Sequence, residues 1–389
     1  MILGKGYIIR GPQDFSVTSP ARFEAIFKGT PNNGAINLAL GNARTYNLIG
    51  NPYPSAIDAD LLIEKNSENI NGTLYFWTHN TPFKNNIYAS DDYAVYNLLG
   101  GVGTRSSISS GLNEIIPDGK IASGQAFFVM SKNSGAVAFN NSMRIQGQNT
   151  TFFKPGKNNK NANEPSIKKH RLWLNLENSE GVFKQILIGY IQGMPEGLDY
   201  NSETFNANQF VDFYSISENK NLVIQGTSMP FSETDSVLLG YQTSIDGNFS
   251  LKLDHQDGLF ANQNIYIEDK VLNKIQNLKE NPYSFSTAKG RFNDRFVLHY
   301  IDKKLNRKNA EEIEKTIFIG VKDKSIKIIS TKENIQKIDI YDVSGKVIYT
   351  KNKIDAAEYE TANLPFSNQV FIIKITLTNY IFTQKTLFQ

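Results

Sequence analysis

The sequence predicts an all-β protein: two β-rich, sandwich-like domains followed by a smaller immunoglobulin-like β-sandwich. Three observations carry this. Aromatic residues make up 12% of the 389 residues, mostly 25 Phe and 18 Tyr, types that favour strands over helices. Short apolar runs recur along the chain, separated by Gly, Pro, Asn and Asp clusters that punctuate a sandwich. Near the end, Phe371, Ile373, Ile375 and Leu377 alternate with Ile372, Lys374 and Thr376, giving one fully apolar and one mixed strand face.

The chain opens MILGKGYIIRGP, whose apolar pieces are only two or three residues long, too short for a signal peptide. GYIIR reads as the interior of a strand already in progress, so a larger protein is expected upstream. Strands then follow in YNLIGNPYPSAID (46–58), GTLYFWTH (72–79), GQAFFVMS (124–131) and AVAFNNSMRI (136–145). Pro52 and Pro54 around Tyr53 force extended or turn geometry there. Asp58 to Ile70 is the helical candidate of this first domain, which we place at 1–153.

Residues 154–170, in the stretch KPGKNNKNANEPSIKKHR, are polar and cationic with nothing to bury, and read as a solvated linker. A second domain, 171–302, carries LWLNLEN (172–178), ILIGYI (186–191), NLVIQG (221–226), VLLGYQT (237–243), FSLKLD (249–254), NIYIEDK (264–270) and DRFVLHYID (294–302). Asp246-Gly247, between Ile245 and the alternating Phe249, Leu251 and Leu253, reads as a hairpin turn, with Ser250 and Lys252 on the wet face. A charge-dense linker at 303–312 has room for a short helical turn before the terminal module, 313–389, with SIKIIS (325–330), KIDIYDVSGKVIYTK (337–351), VFIIKITL (370–377) and YIFTQKTLF (380–388).

Several function classes lack residues to support them. A formal charge of +3 with no basic stripe argues against a nucleic-acid partner. Cysteine is absent, which removes disulfides, thiolate metal sites and cysteine nucleophiles. No run approaches the roughly 18 apolar residues of a membrane-spanning helix. His79, His170, His255 and His299 have no metal-ligand spacing; His170 falls in the linker, and His79 and His299 end apolar strands as hydrogen-bonded rim residues. GGVGT (100–104) lacks the Lys-Ser/Thr ending of a phosphate loop and reads as permissive loop backbone. DHQDGLF (254–260) with Glu268-Asp269 could supply oxygens to Ca2+, against the default of an ordinary Asp-Gly turn. Trp77 and Trp173 could stack on sugars, but a tryptophan within an apolar strand is by default core. No cofactor and no catalytic residue is assigned, and the chain reads as a non-enzyme.

The turn in KIDIYDVSGKVIYTK, with a strand before it and a final apolar strand carrying Lys385, resembles the C-terminal sorting domain of the type IX secretion system of Bacteroidota. The positions that match are Tyr341, Asp342, Gly345 and Lys346. The family's common Pro-Asn-Pro opening is replaced here by FIGVKDKSIKI, which fits a variant class. Upstream, GNPYPSAID, NGTLYFWTHNTP, RLWLNLEN, FKQILIGYI and GRFNDRFVLHY look like the β-rich region before such a signal in large flavobacterial secreted or surface proteins. The resemblance implies export through the periplasm to the cell surface or medium. Its partners would be the type IX outer-membrane translocon and its shuttle protein. Surface glycans are candidate ligands of the upstream domains, and an adhesin, a carbohydrate-binding module or an accessory domain of a polysaccharide-degrading enzyme is the alternative.

Overall fold

The computed structural model describes residues 1–9, 26, 28–78, 83–84, 87–88, 93–104, 116–147, 149, 168–193, 200–204, 210–302, 312–366, 368–378 and 380–388. They form two compact units, Met1–Ile301 and Asp302–Gln389. Both are built almost wholly of strands, as the composition predicts.

The first unit begins with a five-stranded antiparallel sheet. Its strands are β1 (Tyr46–Gly50), β2 (Ile70–Trp77), β3 (Tyr93–Asn97), β4 (Gly100–Val102) and β5 (Ala126–Ser131), in the spatial order β1-β5-β2-β3-β4. A seven-residue helix, α1 (Ala59–Lys65), lies between β1 and β2 in the chain. Asp58 starts it by accepting the Leu61 N–H at 3.1 Å, and Ala59, Leu62 and Ile63 form its buried face at i, i+3 and i+4 spacing. Buried Asn66 ends it, bonding Leu62 C=O and exchanging two bonds with the backbone of Ala138. The expected run 136–145 is interrupted: strand 136–139 gives way to a 3-10 turn at 141–143, where Asn140 accepts the Ser142 N–H at 3.0 Å. Among its described residues GYIIR forms no strand. Only Lys5 bridges, to Ile49, while Ile8 and Ile9 are exposed and Arg10 lies outside the described residues.

The rest of this unit is an eleven-stranded sheet. Its main strands are β6 (Lys169–Glu177), β7 (Phe183–Ile191), β8 (Val211–Ser217), β9 (Lys220–Ser228), β10 (Ser236–Thr243), β11 (Gly247–Gln256), β12 (Tyr266–Asp269), β13 (Lys274–Asn277), β14 (Tyr283–Thr287) and β15 (Gly290–His299). The spatial order is β13-β12-β15-β10-β8-β9-β7-β6-β11-β14, with residues 202–203 alongside β9 and only β7–β9 parallel. The sheet folds over on itself. Phe285 of the edge strand β14 meets Phe296 of β15 with ring centroids 4.7 Å apart, and Tyr241 of β10 lies 5.6 Å from Phe285. Asp246-Gly247 is therefore not a hairpin turn. β10 pairs with β8 and β15, β11 pairs with β6 and β14, and the dipeptide carries the chain from one layer to the other. Burial decides this: Phe249 and Leu251, with Phe285 beside Phe249 on the paired strand β14, enter the same cluster as Tyr241 and Phe296 of β10 and β15.

Residues 1–153 and 171–302 lie in one compact unit where the sequence suggests two domains. One of the two buried clusters among its described residues spans the division, while the other lies within the second part. Trp173, Leu187, Ile191 and Ile224 of the large sheet cluster with Leu74, Leu99 and Phe127 of the first part. GGVGT is the seam and not a loop. Its Gly100–Val102 form β4 against β3, the Trp173 indole N–H donates to Gly101 C=O at 2.7 Å, and Arg171 donates to Leu99 C=O at 3.0 Å. A side chain at Gly101 would place Cβ 2.3 Å from Pro117 C=O, so glycine is what lets the backbone at Pro117 lie against β4 on the first part's side of the seam. Of the expected linker, residues 154–167 lie outside the described residues, whereas Lys169 and His170 already belong to β6.

The terminal unit is a seven-stranded sandwich. Its strands are β16 (Ile317–Lys322), β17 (Ser325–Ser330), β18 (Ile335–Tyr341), β19 (Val347–Ala356), β20 (Glu358–Glu360), β21 (Gln369–Leu377) and β22 (Ile381–Phe388). One sheet runs β16-β17-β20 and the other β19-β18-β21-β22, the immunoglobulin-like arrangement that the alternating tail predicts. Ile326 and Ile328 from one sheet pack with Ile338, Ile340, Phe371, Ile373 and Ile375 from the other, all fully buried. Each fully buried aliphatic or Phe side chain of that kind contributes roughly 1.5–3 kcal/mol.

Candidate functional site

The turn that the sequence singles out joins β18 to β19. Asp342 organises it. Its carboxylate accepts from Ser344 N–H at 2.8 Å, the Ser344 hydroxyl at 2.6 Å and Lys346 N–H at 3.0 Å. The Gly345 N–H closes the turn onto Asp342 C=O at 3.1 Å, and Gly345 has a φ of +87°, where a side chain is strained although a Cβ would meet nothing within 4 Å. These hydrogen bonds, from the Ser344 hydroxyl first and then Lys346 N–H, hold the Asp342 carboxyl below its ordinary pKa. Asp342 and Gly345 thus set the shape of the turn and leave Val343 (69% exposed) and Lys346 facing solvent.

Register brings the distant motif residues together. Tyr341 stands opposite Val347 on one side and Ile372 on the other, and Ile372 stands opposite Lys385. Directly paired residues share a face, so Val347, Tyr341, Ile372 and Lys385 form one row across the four-stranded sheet. The buried Ile340, Ile373 and Ile375 occupy the opposite face, which makes this row the outer one. Leu387, opposite Val370, adjoins it, and Val347 and Leu387 are each more than half exposed. The result is an apolar strip flanked by Lys346 and Lys385. Ile372, Val347 and Leu387 are not singled out by the sequence; only the pairing register identifies them.

The calcium candidates are committed elsewhere. Asp257 accepts from the Arg171 backbone and guanidinium at 2.9 Å, and Asp254 accepts from Asn175 at 2.9 Å and contacts His255 at 2.6 Å. Asp269 is wholly buried against Arg295 at 2.8 Å, with the Tyr283 hydroxyl donating at 2.9 Å, and Glu268 contacts His299 at 2.7 Å. Burial pushes the Asp269 carboxyl up, but Arg295, the Leu272 N–H and Tyr283 outweigh it and hold it below its ordinary value. Among the described residues no group of three or more His, Asp or Glu is placed to hold a metal ion.

The histidines fill structural positions. His170 lies on β6 and accepts the Leu259 N–H at 3.0 Å, and His299 is buried at the end of β15; His79 lies outside the described residues. The two tryptophans differ. Trp173 is core, its ring stacked on His255 at 3.8 Å. Trp77 is not: it is 40% exposed at the end of β2, because the apolar run stops there and the strand's last residue reaches the rim. It lines a groove of about 1150 Å³ with Tyr7, Tyr53, Thr78 and Thr104.

Among the described residues no helix is long and apolar enough to cross a membrane. A search of curated proteins returns no match. One family model, described as a domain of unknown function (DUF8693), matches residues 1–300, and another, described as a domain of unknown function (DUF8694), matches residues 305–388. The two matches divide the chain where the compact units do, after Ile301. The fused core of the first three hundred residues is thus the extent of a single family domain, and the chain belongs to the DUF8693 family, with a DUF8694 domain following it.

Proposed function

We propose that the chain is the C-terminal part of a secreted or cell-surface protein whose terminal sandwich is the recognition signal for export by the type IX secretion system. The observation that supports this most is the convergence of Tyr341, Lys346 and Lys385 at one end of one outer sheet face, beside a turn built by Asp342 and Gly345. Purely structural residues would serve a turn anywhere; a partly exposed apolar strip beside two lysines suits a reader. A folded module suits an address label, since its receptor need not order a flexible tail, whose entropic cost weakens binding. The partners under this reading are the outer-membrane translocon and its shuttle protein. No reaction is assigned to the chain.

The test is export in a host that carries the system. Removing residues 302–389 should leave the parent protein in the periplasm, and grafting them onto a periplasmic reporter should carry it outside. Tyr341→Ala with Lys385→Ala should abolish export while the protein stays folded. A truncated parent still found outside the cell ends the proposal.

Exposed Trp77 in its groove favours a second role for residues 1–301, the binding of surface glycans. Aromatic platforms of this kind offer a flat apolar face to a sugar ring. A glycan array probed with the whole chain and with Trp77→Ala checks it; signal unchanged in the variant removes the reading.

A further inference from the structure

We infer that β22 is a pairing edge through which two copies of this chain associate side by side, joining their four-stranded sheets into one continuous sheet. Among the described residues β22 is paired on one side only, by β21, through eight consecutive register pairs with no irregularity, from Gln369↔Phe388 to Thr376↔Ile381. It carries no proline and no bulge, and Ile381 and Leu387 are 54% and 52% exposed. A long, flat edge with exposed apolar side chains is a template for another strand. The sandwich's other edges are shorter or less regular. β19 shifts register twice against β18, has left-handed backbone at Lys353 and Asp355 (φ 57° and 46°) and carries Lys351 and Lys353. β20 is three residues long, and β16 is six residues long with Gly320 at its middle, against eight for β22.

The backbone selects the partner and its register. Leu377 N–H donates to Tyr380 C=O at 2.8 Å, which sets the phase of the β21–β22 ladder. Alternation then turns the backbone groups of Phe382, Gln384 and Thr386 toward β21, and those of Ile381, Thr383, Lys385 and Leu387 outward. An antiparallel second β22 centred on Gln384 uses all four outward residues of both copies. It sets Ile381 against Leu387 and Thr383 against Lys385, twice each by the two-fold symmetry, with no like charges opposed. A slip of the centre to Lys385 places that lysine against itself, and a slip to Thr383 leaves Leu387 unmatched. The strand is complementary to itself in one register.

The chain has no cysteine, so one introduced thiol reports the contact cleanly. Light scattering on the whole chain should show mass rising with concentration from 43.7 kDa toward twice that value. Thr383→Lys, at an exposed position, should abolish the rise by facing Lys385, and Thr383→Lys with Lys385→Glu should restore it. Gln384→Cys should give a disulfide-linked dimer on mild oxidation, whereas Asn352→Cys on β19 should not. A chain monomeric at every concentration with no Gln384→Cys dimer overturns the inference. So does a dimer that survives Thr383→Lys while the Gln384→Cys variant stays unlinked, since its interface would lie elsewhere. The readout is association alone, so the outcome is independent of whether the terminal unit directs export.

Discussion

Replacing Arg295 with Met probes what holds the folded-over sheet together. Arg295 and Asp269 are 7% and 0% exposed as side chains, and the guanidinium also bonds Ser286 C=O at 3.0 Å and lies 4.6 Å from the Phe285 ring and 4.9 Å from Phe296. It therefore ties β12 and β15 to β14 across the sandwich. Met preserves much of the side-chain volume but leaves the Asp269 carboxylate buried without its counter-charge, a change that costs about 3–5 kcal/mol. Arg295→Met with Asp269→Asn should recover at least half of that, because the amide oxygen still accepts the Val271 and Leu272 N–H groups. Urea unfolding followed by tryptophan fluorescence measures it: Trp77 and Trp173 both lie in Met1–Ile301, so the signal reports that unit alone. The pH dependence has a definite sign. Asp269 titrates below its ordinary value in the folded protein, so its contribution is full above the unfolded carboxylate pKa and is lost as pH falls through the lower folded one. In Arg295→Met the unpaired carboxyl moves upward instead. The gap between variant and parent should therefore begin to narrow as pH falls through that raised value, above the ordinary carboxylate range, and go on narrowing down to the parent's lower one. A loss under about 1 kcal/mol, or a double variant as unstable as the single one, would refute the reasoning.

Gly345→Val should destabilise the terminal unit by about 1–2 kcal/mol through backbone strain alone, as space for the side chain exists; calorimetry on the whole chain would show that unit's transition shift and the other stay. The Asp342 carboxyl, held low by its turn, should keep the turn ordered above the usual carboxylate range and release it as pH falls through its own lower value, seen as faster amide exchange at Ser344 and Lys346. Gly101→Ala should cost about 1–3 kcal/mol, since the new Cβ meets the Pro117 backbone and not a yielding side chain, and hydrogen exchange should rise in both β4 and β6.

Strand positions were readable from the sequence because burial imposes a period of two that survives in Phe249, Leu251 and in Phe371 to Leu377. Partners were not. Asp246-Gly247 has local turn chemistry, but which strand lies beside β11 is settled by the far side of the core. The seam was hidden for a similar reason: Gly100 and Gly101 look permissive until Arg171 and Trp173 arrive from far along the chain to bond the backbone at Leu99 and Gly101. The tight turns at Glu218-Asn219 and Asp323-Lys324 take left-handed backbone without glycine and so gave no signal. In the candidate site, Asp342 and Gly345 were visible as one short motif. Its union with Lys385 was not, because it depends on β21 lying between them.

The seam at β4 also bears on how such proteins can be reshuffled. Cutting at the polar stretch after residue 153 would strip Leu187, Ile191 and Ile224 of their cover and leave the Trp173 indole without its acceptor. Gene fragments ending there would encode sticky halves rather than exchangeable parts, so viable breakpoints should cluster after Ile301, and the first three hundred residues should be inherited as one indivisible cassette.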